Sequence, residues 1–313
     1  MTQATQRALV AAAEAETPPV RQKGPRVFLD MDQAELDDAY NQLKYAPNMQ
    51  QILARFAGNS ALTRARLGEP RRLAYGGAPN ERLDLFAAPV ANAPVCVFVH
   101  GGAWRQGEAR NVAFLAEMFV GAGAHFAALD FDNVLATAGD LTPIADQVRR
   151  AVAWVHANAP SFGGDPRRLY VCGHSSGGHL AGVILTTDWV GGFGLPADTV
   201  RGGLVISGMY DLEPVRRSAR SDYIRFTDAV VEALSPQRHV DRLSCPIMVA
   251  HGTLETPEFV RQARDFAAAA KSAGKPVELL VGAEYNHFEM LETLANPYGL
   301  LGRAALRMIK PDR

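Results

Sequence analysis

Six short apolar runs punctuate the chain, at residues 95–99, 125–129, 169–172, 203–206, 247–250 and 277–281. Between them apolar positions fall at helical spacing, and continuous apolar strands alternating with helices predict a mostly parallel central sheet with helices on both faces, the α/β class. The clearest connecting helix is 143–158. Thr142 stands where a cap is needed, Pro143 suits the first turn, and Ile144, Val148, Ala151 and Val155 share one face. Ahead of the first run, Leu36, Tyr40, Leu43 and Tyr45, then Ile52, Leu53 and Phe56, recur at three- and four-residue intervals and predict one or two helices over 32–67, lying on the sheet. Residues 1–30 hold Pro18, Pro19, Gly24 and Pro25 among charges, the pattern of a flexible or surface-wrapped arm. Residues 209–242 are longer than a simple crossover and leave room for a helical lid. The expected division is an arm with cap helices over 1–70 and a catalytic domain over 71–313, with 209–242 inserted in it.

Composition narrows this picture little but excludes some roles. With 313 residues, 48% of them hydrophobic, the chain can bury a full core without disulfide or metal. A formal net charge of −1 provides no basic footprint for nucleic acid or an anionic membrane surface, so a small neutral organic substrate is expected. Cys96, Cys172 and Cys245 each lie in or beside an apolar run and read as buried, reduced thiols. The first residues lack the apolar core of a signal peptide, and no run approaches the roughly 18 apolar residues of a membrane helix. A cytoplasmic protein is expected. Its oligomeric state is open, a homodimer included.

Candidate chemistry sits at the ends of the apolar runs. Gly173-His174-Ser175-Ser176-Gly177-Gly178 fits G-x-S-x-G directly after the run 169–172. A serine nucleophile on a tight strand-to-helix turn needs small neighbours, which Gly173 and Gly177 supply. The following residues continue as a helix whose N-terminal amides favour developing negative charge. Ser176 lacks a glycine two positions before it, so Ser175 is the nucleophile candidate. The run 95–99 leads into His100-Gly101-Gly102-Ala103-Trp104, where glycines free backbone N–H groups to face a substrate oxygen. Gly101, Gly102 and Ala103 are candidate oxyanion donors, joined by the amide of Ser176. His100 reads as an anchor for the loop, and Trp104 as a wall of the acyl or leaving-group pocket or as simple packing.

After the last run comes Glu284-Tyr285-Asn286-His287-Phe288, placing His287 where a general base belongs. The orienting acid should follow 247–250, in His251-Gly252-Thr253-Leu254-Glu255-Thr256-Pro257-Glu258. Glu255 is preferred, because Pro257 reads as a helix start that puts Glu258 in a first turn; Asp211 is a third option. The order Ser175, Glu255, His287 is nucleophile, acid, base. His174 and His179 flank the nucleophile turn, His174 also as a candidate substrate contact. Tyr40, Asn41 and Tyr45 are further candidate contacts, with packing as their plainer reading.

Taken together, His100 to Trp104, Gly173 to Leu180 and Asn286-His287-Phe288 resemble the kynurenine formamidase (arylformamidase) branch of the α/β-hydrolases, close to the hormone-sensitive-lipase-like esterases, across about residues 70–310. The resemblance implies the α/β-hydrolase fold, no cofactor, and cleavage of short-chain carboxylic esters or, alternatively, N-formyl aryl amides. Aspartate is the commoner acid in this fold, so Glu255 is a departure from it. Three other functions compete. A non-catalytic binding protein on the same fold would be expected to lose a catalytic residue, and none is missing. A metal site on His174 and His179 fails because their spacing is not that of H-E-x-x-H. A dinucleotide site at Gly121-Ala122-Gly123 fails because Phe126 stands where the third glycine should.

Overall fold

The structure is a computed structural model and describes residues 22–310. The expected arm therefore lies mostly outside the described residues. Its last part is more ordered than an arm: Arg26–Phe28 (β1) and Met31–Asp32 (β2) pair as a small antiparallel hairpin. Asp32 then caps the helix Gln33–Ala39, accepting from the Glu35 N–H. A short 3-10 turn, Gln42–Lys44, and the helix Met49–Leu67 complete the segment.

The sheet has eight strands: Arg71–Ala74 (β3), Arg82–Phe86 (β4), Ala93–Val99 (β5), His125–Leu129 (β6), Gly164–His174 (β7), Gly202–Ile206 (β8), Ile247–Gly252 (β9) and Val277–Gly282 (β10). In space they run β3-β4-β6-β5-β7-β8-β9-β10. All neighbours from β6 to β10 are parallel, while β3 and β4 add an antiparallel edge. The six apolar runs are the six parallel strands. The antiparallel pair was not legible, because Arg71-Arg72 and Arg82-Leu83-Asp84 carry too much charge to read as buried strands.

Alternate residues of β5 feed two cores. Val95, Val97 and Val99 join the helices Thr142–Asn158, Ser176–Leu185 and Pro257–Ser272 on one face. Cys96 and Phe98 join Met49–Leu67 and Leu300–Ile309 on the other. In Thr142–Asn158 the predicted face Ile144, Val148, Ala151 and Val155 is fully buried. Its cap differs from the expectation. Thr142 is the first helical residue and donates its own N–H to Asp140 Oδ1 at 2.8 Å, so Asp140 supplies the acceptor.

Residues 209–242 form Leu212–Arg217, Asp228–Ala233 and two 3-10 turns. They grip the N-terminal segment: Gln33 donates to the Arg217 carbonyl, Arg217 to the Val27 carbonyl, and the Ala219 N–H to Asp37. The helix Met49–Leu67 is tied in turn to His287–Glu292 through Arg55 with Glu292 and Asn48 with Glu289. Among the described residues no helix is long and apolar enough to cross a membrane.

Candidate active site

β7 passes to the helix Ser176–Leu185 through Ser175, whose φ of 59° and ψ of −127° lie where a residue with a side chain is strained. The surroundings hold it there. The Ser175 N–H donates to the Ile206 carbonyl at 2.9 Å. A Cβ on Gly173 would come within 2.2 Å of the Gly177 carbonyl oxygen, and one on Gly177 within 2.2 Å of the Val99 oxygen, so both positions need glycine.

Ser175 Oγ stands 2.8 Å from His287 Nε2, and His287 Nδ1 stands 2.8 Å from Glu255 Oε2. The ring is 1% exposed and Glu255 4%, which protects the pair from competing water. With the Nδ1 proton directed at the carboxylate, Nε2 turns a lone pair to the serine hydroxyl. His287 opens the helix His287–Glu292, where Asn286 accepts from the Phe288 and Glu289 N–H groups and Glu289 answers to the Asn286 N–H. His174 Nε2 donates to the His287 carbonyl at 2.8 Å, and Phe259 and Phe288 meet the ring edgewise. His174 therefore supports the backbone of His287 rather than lining a substrate pocket. Burial, followed by the nearby His287, holds its pKa well below the usual value.

The loop after β5 turns sharply. Gly102 has φ 126°, and Ala103 and Trp104 follow at 56° and 58°. The N–H groups of Arg105 and Gln106 both donate to the Gly102 carbonyl, at 3.0 and 3.1 Å. A Cβ on Gly101 would sit 2.9 Å from Ser175 Cβ, so the loop abuts Ser175. The N–H groups of Gly102 and Ala103 meet no acceptor among the described residues, which leaves them free for a substrate oxygen. His100 anchors the loop by donating from Nδ1 to the Gly101 carbonyl at 2.8 Å and stacking on Phe131. Burial lowers its pKa.

Trp104, read as a wall of the acyl or leaving-group pocket or as simple packing, is 2% exposed. Its backbone N–H donates to Ser176 Oγ at 3.2 Å and its indole to His179 Nδ1 at 3.2 Å. His179 passes the chain of bonds on to the Leu234 carbonyl. What surface the indole keeps borders a polar hollow of about 630 Å³ behind the loop, together with Arg64, Gln106, Glu108 and Asp132; Ser175 and His287 do not border it. Trp104 is thus a core ring and not a wall beside Ser175.

The two competing acids lie elsewhere. Glu258 is in the first turn of Pro257–Ser272, paired with Arg261 at 2.6 Å and accepting from the Tyr40 hydroxyl at 3.0 Å. Asp211 caps Leu212–Arg217 and pairs with Arg238. Tyr40 is corrected too: it is 3% exposed, and its hydroxyl is occupied by Glu258 and Gln262, so it is a buried strut and not a substrate contact. Asn41 uses its side-chain oxygen to cap Gln42–Lys44, accepting from the Leu43 N–H.

Two residues of the site were missed in the sequence. Ser207, with φ 52°, donates its hydroxyl to Glu255 Oε1 at 2.7 Å, beside the Gly252 N–H at 2.6 Å. Its place at the end of the run 203–206 was the available signal. Gln42, on the N-terminal segment, brings its amide to 3.2 Å from His287 Nδ1, and nothing in its local sequence marks it.

The BD-FAE family model matches residues 83–191. The kynurenine formamidase of Danio rerio is 33% identical over 242 residues, covering 75% of this chain and 80% of that protein. The esterase LipC of Mycobacterium tuberculosis is 30% identical over 238 residues, covering 69% of this chain and 58% of that protein. Among solved structures, a candidate thioesterase from Silicibacter sp. tm1040 superposes with a TM-score of 0.76 at 26% identity, covering 88% of this chain and 99% of that one.

Proposed function

The chain belongs to the kynurenine formamidase family of α/β-hydrolases, and from that footing we propose that it is a serine hydrolase cleaving a small carboxylic ester through an acyl-enzyme. It is an enzyme of the hydrolase class. The observation that carries the proposed mechanism is the continuous line from Ser175 Oγ through the His287 ring to Glu255, with 2.8 Å at each step. Ser175 attacks the ester carbonyl while His287 Nε2 takes its proton, and Glu255 supports the imidazolium. The carbonyl oxygen becomes an oxyanion received by N–H groups of Gly101, Gly102 and Ala103 together with that of Ser176. Collapse expels the alcohol, which takes the proton back from His287. Water, deprotonated by the same nitrogen, then releases the carboxylic acid and restores Ser175.

An N-formyl aryl amide is the second reading, favoured by the likeness to the Danio rerio kynurenine formamidase. The steps are the same, except that the leaving amine depends more on protonation by His287. The N-terminal segment to residue 70 and residues 209–242 would form the cap that shapes the acyl and leaving-group sides.

The test compares p-nitrophenyl acetate, p-nitrophenyl octanoate and N-formylkynurenine on the wild type and on Ser175→Ala and His287→Ala. Both variants are expected to lose roughly 10³-fold or more in kcat, and the preferred substrate assigns ester or formamide. A Ser175→Ala variant with undiminished turnover would overturn the reading.

A further inference from the structure

Gln42 reaches the candidate base from the far end of the chain. Its side-chain amide nitrogen is placed 3.2 Å from His287 Nδ1, the nitrogen that also faces Glu255 Oε2 at 2.8 Å. The other end of the amide, Oε1, is buried and has no partner. As placed, the amide conflicts with its surroundings. Nδ1 carries a proton toward the carboxylate and has no lone pair left for an amide N–H, while a buried carbonyl oxygen lacks a donor. The two ends of a carboxamide have the same shape, so exchanging them removes the first fault, and the second becomes a buried donor in place of a buried acceptor. The oxygen then meets the Nδ1 proton, and the NH2 becomes the end without a protein partner among the described residues.

We infer that Gln42 is a positioning residue for His287, its side-chain oxygen serving with Glu255 as a second acceptor for the Nδ1 proton. This rests on the proposed function only in giving the ring a catalytic purpose; the contact itself belongs to the resting protein. Its effect is electrostatic as well as steric. A second acceptor favours the protonated ring, the form that must exist while the oxyanion does. The titratable groups against this ring are Glu255, from the loop after β9, and His174, from the nucleophile turn, which burial holds neutral. Phe259 and Phe288 cover the rest of it. Gln42 itself sits on the short turn Gln42–Lys44, which Asn41 caps and Arg220 steadies through the Tyr40 carbonyl. Seating of the N-terminal segment and orientation of the base are thereby joined in one contact.

The test follows the His287 ring directly, by NMR of protein carrying labelled histidine, with His287→Gln used to assign its signal. The chemical shift and solvent-exchange rate of its Nδ1 proton are compared in wild type, Gln42→Leu and Gln42→Glu. Loss of the acceptor in Gln42→Leu is expected to move that resonance upfield and to speed its exchange by roughly threefold or more. Gln42→Glu keeps an oxygen there and is expected to leave the proton at least as far downfield as in wild type. A resonance and exchange rate that stay at the wild-type values in Gln42→Leu overturn the inference, even if the variant is less stable, because a packing role alone would leave the hydrogen bonds of that proton in place. The reading needs no substrate. Ester turnover in the same wild-type sample therefore tests the hydrolase assignment separately, and either can fail alone.

Discussion

Ser207 Oγ donates a 2.7 Å hydrogen bond to Glu255 Oε1, the carboxylate oxygen that does not face His287. With the Gly252 N–H on the same oxygen, this fixes the rotation of the carboxylate and leaves Oε2 aimed at the ring. Glutamate has one more methylene than aspartate and one more torsion to restrain, and Ser207 restrains it. Ser207→Ala is therefore expected to lower kcat/KM for an ester by roughly tenfold, mostly through kcat, since the bond orients the acid and touches no substrate. Steady-state kinetics decide it, and a wild-type kcat would mean that Gly252 suffices.

The two neighbouring glutamates should separate cleanly by mutation. Glu255→Gln removes the charge facing His287 and is expected to cost roughly 10³-fold in kcat with little change in melting temperature. Glu258→Gln should do the reverse. It weakens a buried pair with Arg261, costing about 2 kcal/mol of stability while turnover remains close to wild type. Parallel kinetic and thermal measurements would expose a swapped pattern, which would move the acid role to Glu258.

Acid should destabilise the fold through its buried histidines. Burial lowers the pKa of His174 and His100, and pushes His179 down to about 4 from 6.5. Each binds fewer protons folded than unfolded, so stability falls as pH drops below 6.5 and continues to fall until the folded value is reached. For His179 the slope is about 1.4 kcal/mol per pH unit across that window. Urea midpoints taken from pH 7 to pH 5 should decline, and decline less steeply in His179→Gln. Parallel curves for the two proteins would remove His179 from the account.

The parallel strands were legible because burial on both faces leaves the runs of β5 to β9 almost wholly apolar, with the exposed edge strand β10 legible from its leucines and valines despite Glu278, and the turn at Ser175 because strain there demands glycine on both sides of it. His287 and Glu255 were legible from their positions at strand ends. Trp104 and Tyr40 stayed open between packing and substrate contact for one reason: an aromatic side chain with a polar atom looks the same in sequence whether that atom meets a substrate or, as here, His179 in one case and Glu258 with Gln262 in the other. Gln42 could not be read at all. A contact across 245 residues depends on how the N-terminal segment settles on the rest of the fold, and no local pattern encodes it.

The bonds joining the start of the helix Met49–Leu67 to the helix His287–Glu292 also order events in time. Asn48 meets Asn286 across 238 residues and Arg55 meets Glu292 across 237. On a ribosome, the early helix emerges long before its partner exists, and Ile52 and Phe56, which end buried, must wait or find temporary cover. Contacts of such separation form late and slowly. The newborn chain thus has a prolonged interval in which a folding helper could hold the start of that helix, and loss of the last 30 or so residues would leave Asn48 and Arg55 without these partners while Phe56 keeps its stack on Phe114.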